Sequence, residues 1–282
     1  MSTEAIPASP APLSADEAEA MLQRRLKKHD VAIVLLHWFN AASWVLLVAT
    51  GAALVVSPYF RIAPEWYTTL FERIFGGRAS LLTFHIALGL TWIGAFLVYG
   101  IFGFRSYLHH EVLRKEIALD RDDVRWLIVR TLGILGRSKE ALPPQGSYNA
   151  GQKLFGLAVY SMVPVIMLTG LVMTFGWPSP AAVAWAVVLH FTAVGLVVSG
   201  LMIHVYMAAV FPEEKPAFFS MITGSVHELY AYSHHFKWWR EEKAKQLALR
   251  RRRDAAFAAA ASAAAPEAKG PEKAPSPGPG DA

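Results

Sequence analysis

The sequence predicts an all-α membrane protein, a bundle of four transmembrane helices accompanied by short amphipathic helices. Three observations predict it. The 282 residues are 54% hydrophobic and only 17% charged, where charged residues make up about a quarter of an ordinary soluble domain. Mean hydropathy is +0.32. Four apolar runs, residues 31–56, 81–104, 154–175 and 181–211, are each long enough to cross a hydrocarbon core of about 30 Å as a helix.

The first run is too long for a cleavable signal and follows Arg24, Arg25, Lys27 and Lys28, so it is expected to remain in the mature chain. The fourth exceeds a single crossing and should tilt or project beyond the bilayer. Of 27 Lys and Arg, 24 precede the first run, lie between the second and third, or follow the fourth; three lie in residues 57–80 and none between the third and fourth runs. The positive-inside rule then predicts both termini in the cytoplasm. It also accounts for the net charge of +5, because the basic residues crowd the ends of apolar runs, and no nucleic-acid partner is expected.

Between the first two runs, Trp66, Tyr67, Leu70, Phe71 and Ile74 recur at helical spacing, as in a helix lying at the membrane interface or seating a partner. Residues 122–137 read as a second amphipathic helix, ended by the breaker Pro143-Pro144-Gln145-Gly146. The chain therefore divides into a basic N-terminal segment (1–30), a membrane domain (31–211), an interfacial segment (212–254) and a tail (255–282). Residues 1–20 and 255–282, rich in Ala, Pro, Glu, Ser and Gly, are expected to be disordered, and no internal repeat is evident. The Arg250–Arg253 run reads as a solvated, lipid-attracted stretch.

Cysteine is absent, which excludes disulfides, iron–sulfur clusters, thiolate zinc sites and thiolate-ligated haem. Any cofactor must use other ligands. Four of the ten histidines, His37, His85, His190 and His204, fall inside the apolar runs. Ionisable groups in lipid are costly unless paired, and four of them ask for a common cause. With the N-terminus inside, His37 lies about 9 Å from the cytoplasmic edge and His204 about 10 Å; His85 and His190 lie about 6 and 14 Å from the external edge. His190 and His204 are 14 residues apart, so they share a helix face about 21 Å apart along the axis.

Two imidazole pairs, each drawn from two helices and stacked across the bilayer, match two b-type haems held by bis-histidine ligation: His37 with His204, and His85 with His190. Neutral imidazole donates to iron, which removes the buried charge. A zinc or other transition-metal site fits less well, because the pairs are far apart and no carboxylate lies in the spans. Ala41, Ala42, Gly51, Gly89, Gly94, Gly195 and Gly200 would leave room for porphyrins, although small residues serve ordinary close packing of membrane helices equally well.

Before the third run stands Ser147-Tyr148-Asn149-Ala150-Gly151-Gln152-Lys153. Together with His37-Trp38, His204-Val205-Tyr206-Met207-Ala208, and His234-His235 followed by Trp238-Trp239-Arg240-Glu241, this segment resembles the cytochrome b (gamma) subunit of respiratory formate dehydrogenases over residues 31–242. One departure is Phe236, where that family usually has proline. The resemblance implies a four-helix, two-haem module of the bacterial cytoplasmic (inner) membrane. It would take electrons from an iron–sulfur (beta) subunit, and ultimately from a molybdenum or tungsten catalytic (alpha) subunit, and pass them to menaquinone or ubiquinone.

It also implies a quinone pocket of Asn149, Gly151, Gln152 and the ligand His204. Physically, an amide offers donor and acceptor to a quinone carbonyl and glycine admits a ring to the backbone; helix capping suits Asn149 equally well. His234 and His235 diverge by about 100° on a helix and sit before two tryptophans, as expected of an interfacial segment rather than a ligand pair. Two other readings stay open. One is the cytochrome b subunit of a nickel–iron hydrogenase or thiosulfate reductase; the other is a membrane anchor or transporter without haem.

Overall fold

The computed structural model describes residues 6–7, 9–57, 60–104 and 117–264. Four helices are long and apolar enough to cross a membrane: Val31–Leu54, Arg78–Tyr99, Ala150–Phe175 and Pro180–Val210. They begin within a few residues of the expected positions, and their outward faces are lined by exposed residues such as Val45, Leu97, Leu168 and Leu196, as lipid-facing surfaces require.

In chain order, α1 (Ala15–Gln23) leads into strand β1 (Arg25–Lys27) and the first span α2 (Val31–Leu54). Then come α3 (Glu65–Phe75), the second span α4 (Arg78–Phe104) and α5 (Arg121–Ile134). The third and fourth spans are α6 (Ala150–Phe175) and α7 (Pro180–Val205). After a π-helical turn (Tyr206–Val210) and a 3₁₀ turn (Pro212–Glu214) come α8 (Lys215–Thr223), β2 (Ser225–His227), α9 (Glu228–His234) and α10 (Phe236–Ala264). The long fourth run thus leaves α geometry at Tyr206, where the Phe211 amide donates five residues back to the Tyr206 carbonyl.

The bundle is two helix hairpins, α2 with α4 and α6 with α7, and the closest backbone packing lies within each hairpin. Contact across the bundle is side-chain contact. Trp44 of α2 packs on the buried Ile166, Ala193 and Val197 of the other hairpin, and its ring meets Trp92 edge-on at 6.0 Å. Asn40, a polar residue inside the first span, accepts from the Trp92 indole N–H at 2.7 Å and donates to the Leu36 carbonyl at 3.1 Å. Its polarity is thereby satisfied, as lipid demands.

The helix α3 forms where the spacing predicts. Tyr67, Phe71 and Phe75 stack in series onto Phe84 of α4, and the Tyr67 hydroxyl donates to the Ala49 carbonyl of α2 at 3.0 Å. Trp66, Leu70 and Ile74 stay exposed on its other side. The helix α5 starts at Asp120, whose carboxylate caps the Asp123 amide while Asp123 caps Asp120 in return.

Outside the spans lies a collar of buried polar residues, and here the outcome departs most from expectation. Residues 15–20 are helical rather than disordered, because Ser14 and Glu17 form a capping box. The neighbouring Ala11 is held by Tyr232, whose hydroxyl accepts from its amide and donates to its carbonyl. The chain is likewise helical through Ala264, whereas residues 265–282 of the expected tail and residues 1–5 of the N-terminal segment lie outside the described residues. The all-α bundle also gains one antiparallel ribbon, with Leu26 opposite Val226. This ribbon puts the segment before the first span beside the segment after the fourth, on one side of the bundle as an even number of crossings requires. Gly224, at φ 73°, closes it by accepting from the Lys28 and His29 amides; a Cβ there would stand 2.8 Å from the His29 carbonyl oxygen.

The residues after the ribbon form the collar's core rather than an interfacial strip. Trp238 and Trp239 are buried, and Phe236, where the resemblance leads to proline, packs on Tyr232 and Trp239. The buried Glu228 carboxylate accepts from the Arg24 guanidinium at 2.6 Å and from the Trp239 indole at 2.9 Å. Tyr230 donates to Glu214 at 2.7 Å, and burial beside that carboxylate raises its pKa.

His235 is wholly buried and its Nδ1–H donates to the Gly146 carbonyl at 2.8 Å. Burial, and then the nearby Lys28, hold its pKa well below the ordinary 6.5. The folded state therefore binds fewer protons than the unfolded chain in acid. Stability from this group is complete above about pH 6.5 and falls below it, by up to about 1.4 kcal/mol per pH unit. Thermal unfolding in detergent at pH 7 and pH 5 should show this loss, with a shallower slope for His235→Gln.

Residues 7–239 form one compact unit. The remainder of α10, from Arg240 to Ala264, is a separate helical stretch whose Arg250–Arg253 run is exposed.

Candidate functional site

All four intramembrane histidines are half-buried on the spans expected to carry them, His37 on α2, His85 on α4, and His190 and His204 on α7. Within each expected pair one imidazole feels the charge of the other, His85 that of His190 and His204 that of His37, and His37 also acts on His29 just before the first span. The helices bearing the expected pairs, α2 with α7 and α4 with α7, belong to different hairpins. Each expected pair thus draws one histidine from each hairpin.

Two of the rings are anchored. His85 Nδ1 lies 2.8 Å from the Thr50 hydroxyl of α2, and His190 Nδ1 lies 3.0 Å from the Thr169 hydroxyl of α6. On the other pair, His204 stacks on Phe155 of α6 with ring centroids 5.0 Å apart. Gly200, one turn before His204, admits that ring: a Cβ on it would meet Phe155 at 2.8 Å. His37 meets Trp38 edge-on at 5.5 Å, and Trp38 is fixed by donating to the Met221 carbonyl of α8 at 2.6 Å.

The expected small residues divide by what they touch. Gly51 lies under the His85 ring, and Gly89 faces Leu47. Beside Gly94 and Gly195 a Cβ would meet nothing within 4 Å. Gly170, which approaches His190, and the buried Thr50 and Thr169 carry no motif of their own. The only signal in the sequence is a Thr-Gly dipeptide in each of the first and third spans.

Asn149, Gly151 and Gln152 form the first turn of α6, which begins at Ala150 rather than at residue 154. Asn149 Oδ1 accepts from the Gln152 amide and Gln152 Oε1 accepts from the Asn149 amide, both at 2.9 Å. This reciprocal cap occupies the two side-chain oxygens; among the described residues neither side-chain NH₂ has an acceptor. Gly151 admits a ring, but the ring is Trp126 of α5, 3.7 Å from where a Cβ would stand. Gln152 is only three residues, about 4.5 Å of helix rise, from Phe155 and thus close to His204.

Lys153, next in the segment, is buried, donating to Asp123 of α5 at 2.8 Å and to the Ala118 carbonyl at 3.3 Å. Gln145, in the Pro-Pro breaker, caps Ala150 at 2.7 Å. The segment is therefore a joint between α5, α6 and the collar.

Four imidazoles in two transmembrane pairs, with no carboxylate or thiolate among them, define a class: a multi-pass membrane protein with a donor set suited to haem iron and ill suited to a hard metal. Residues 28–224 match the prokaryotic cytochrome b561 family. The chain belongs to that family and is a membrane cytochrome b, a class that carries b-type haem.

Among curated relatives, the cytochrome b556(Fdn) subunit of the nitrate-inducible formate dehydrogenase of Escherichia coli K12 is 28% identical over 214 residues, covering 74% of this chain and 88% of that protein. The formate dehydrogenase cytochrome b556 subunit of Haemophilus influenzae is 23% identical over 227 residues, covering 79% and 86%. The cytochrome b556(fdo) subunit of the E. coli K12 formate dehydrogenase is 25% identical over 210 residues, covering 73% and 87%.

Proposed function

We propose that this chain is the membrane cytochrome b subunit of a formate dehydrogenase complex, carrying two b haems and reducing quinone. It would not itself oxidise formate. The observation that carries the proposal is the family match over residues 28–224, on a bundle whose spans hold four histidines. His85 and His190 would hold one haem, on the external side, and His37 and His204 the other, on the cytoplasmic side. The relatives' names favour formate dehydrogenase over a hydrogenase or thiosulfate reductase as the complex. They imply an iron–sulfur partner and a molybdenum or tungsten catalytic partner.

Haem supplies one-electron transfer. The basic-residue distribution favours both termini in the cytoplasm of the inner membrane, so electrons would arrive at the external pair and leave from the cytoplasmic one. That direction opposes the usual membrane potential by about 2.3 kcal/mol per electron per 100 mV, and a strongly reducing donor offsets it. Quinone would bind near His204, with the free NH₂ groups of Asn149 and Gln152 donating to its carbonyl and protons drawn from the cytoplasm.

A pyridine haemochrome assay on the purified full chain tests the core of this reading. Two b haems per chain and a sharp reduced α band are expected; none at all makes the chain an anchor or transporter. The quinone site has a separate test that spares the helix cap. Asn149→Asp and Gln152→Glu keep the capping oxygens and remove the NH₂ donors. Each should weaken binding of a quinone analogue by about ten- to a hundredfold, the equivalent of about 1–3 kcal/mol, at unchanged haem content. Unchanged affinity in both variants moves the quinone elsewhere.

A further inference from the structure

His85 and His190 come from different hairpins yet are held in the same way. Each Nδ1 faces the hydroxyl of a threonine one helix away within its own hairpin, Thr50 for His85 and Thr169 for His190. Each hydroxyl already donates its hydrogen to a carbonyl of its own helix, Thr50 to Leu46 at 2.8 Å and Thr169 to Val165 at 2.6 Å. With its hydrogen on that carbonyl, each threonine oxygen is left to accept from the ring. For His190 the Ile166 carbonyl, 3.1 Å from Nδ1, imposes the same direction. The carbonyl makes His190 an Nδ1–H tautomer, and a Thr50 hydroxyl that donates to its own helix calls for the same form in His85, each with its basic lone pair at Nε2.

The residue after each threonine is glycine, and the ring lies where its side chain would be. A Cβ would stand 3.3 Å from His85 Cε1 at Gly51 and 3.5 Å from His190 Cε1 at Gly170. Among the described residues, neither His37 nor His204 hydrogen-bonds a side chain. The two hairpins thus carry the same device, a Thr-Gly step under the histidine of the neighbouring helix, and only one histidine pair has it.

We propose that Thr50-Gly51 and Thr169-Gly170 are matched positioning elements that fix the tautomer and raise the basicity of His85 and His190, lowering the potential of the haem these two share relative to the other. The inference rests on the reading of His85 and His190 as haem ligands. A hydrogen bond accepted from Nδ1–H pushes electron density toward the iron-binding nitrogen and favours the ferric state. A haem held by His85 and His190 would then be the more reducing of the two, and the threonines would favour electron flow from it toward a haem held by His37 and His204.

Potentiometric titration of the α band of the purified full chain tests this, with Thr50→Val, Thr169→Val, the double variant, and Thr→Ser at each site. One haem should titrate higher in each Val variant, by about tenfold in its ferric-to-ferrous ratio, which is about 59 mV for one electron. The second haem should stay in place, and serine should restore the parent value. If valine instead strips that haem while serine retains it, the hydroxyl is again the cause and the proposal stands. Gly51→Ala should perturb the same haem more than Gly170→Ala, because its added carbon lies closer to the ring.

Two fully loaded haems with unmoved potentials in the double valine variant overturn the proposal, leaving the threonines as self-satisfied helix hydroxyls. Equal haem loss in the serine variants overturns it too. An unmodified chain with no haem spectrum overturns the ligand reading itself, an outcome distinct from the other two.

Discussion

His85→Ala should halve the haem content of the purified chain, from two to one, and His190→Ala should leave the same single haem behind. No covalent thioether link can hold a b haem after a ligand is lost, and the chain has no cysteine to form one. The surviving imidazole alone cannot sustain bis-histidine ligation. His37→Ala and His204→Ala should together define the other haem, so the four single variants sort into two spectral pairs. The pairing follows the proposed ligation, His85 with His190 and His37 with His204, and within each pair one ring feels the other's charge. Haemochrome quantification with redox difference spectra reads the outcome directly; were His85→Ala and His190→Ala to remove different haems, the pairing would be wrong. The threonine contacts at His85 and His190 should make these two variants cleaner than the other two, because the partner ring stays oriented when its mate is gone.

The second large effect lies away from the spans. Breaking the Lys153–Asp123 pair from one side, as Lys153→Met or Asp123→Asn, should destabilise the protein by about 3–5 kcal/mol, because either change strands a buried polar or charged partner. Both side chains are almost wholly buried, and among the described residues Lys153 keeps only the Ala118 carbonyl as a hydrogen-bond acceptor once Asp123 is changed. Removing both charges, as Lys153→Met with Asp123→Asn, should recover much of that loss, since neither charge is then buried without its partner and the Asn side-chain oxygen still caps the Asp120 amide. Thermal melts of the detergent-solubilised chain give the double-mutant cycle. Full additivity of the two single changes would show that the pair is not coupled. Because Lys153 follows Gln152, the single variants should also loosen the first turn of α6 and, with it, the candidate quinone contacts.

How much of this was legible in the sequence depends on the range of the interaction. The four spans were legible because apolar content over 20 or more consecutive residues is a local property, and lipid leaves the backbone no option but a helix. That four histidines fall on the spans was legible for the same reason, since each lies inside one apolar run. The two amphipathic helices followed from aromatic and basic spacing, and the closing turn of α3 at Gly76 sits in the left-handed conformation that glycine accommodates.

The first turn of α6 shows the limit. Asn149 and Gln152 were readable as quinone donors or as a cap, and only the folded helix shows that their oxygens cap each other while the NH₂ groups remain. Similarly, His235 and the tryptophans after it read as an interfacial strip, since aromatic and basic residues near a span look alike whether they meet lipid or protein. Their burial is decided by Arg24, Leu26 and Gly146, which lie far away along the chain.

By itself, then, the sequence determined the class, the number of spans and the placing of four imidazoles on them, because each is set by composition or periodicity within one helix. Tertiary structure alone decided which hydroxyls orient His85 and His190, what Lys153 is for, and that residues before the first span pair with residues after the fourth. Those outcomes depend on contacts such as Thr50 with His85, 35 residues apart, and Arg24 with Glu228, 204 apart. No local pattern encodes them, since a threonine bonded to its own helix and one that also steadies a histidine are the same residue in the same kind of run.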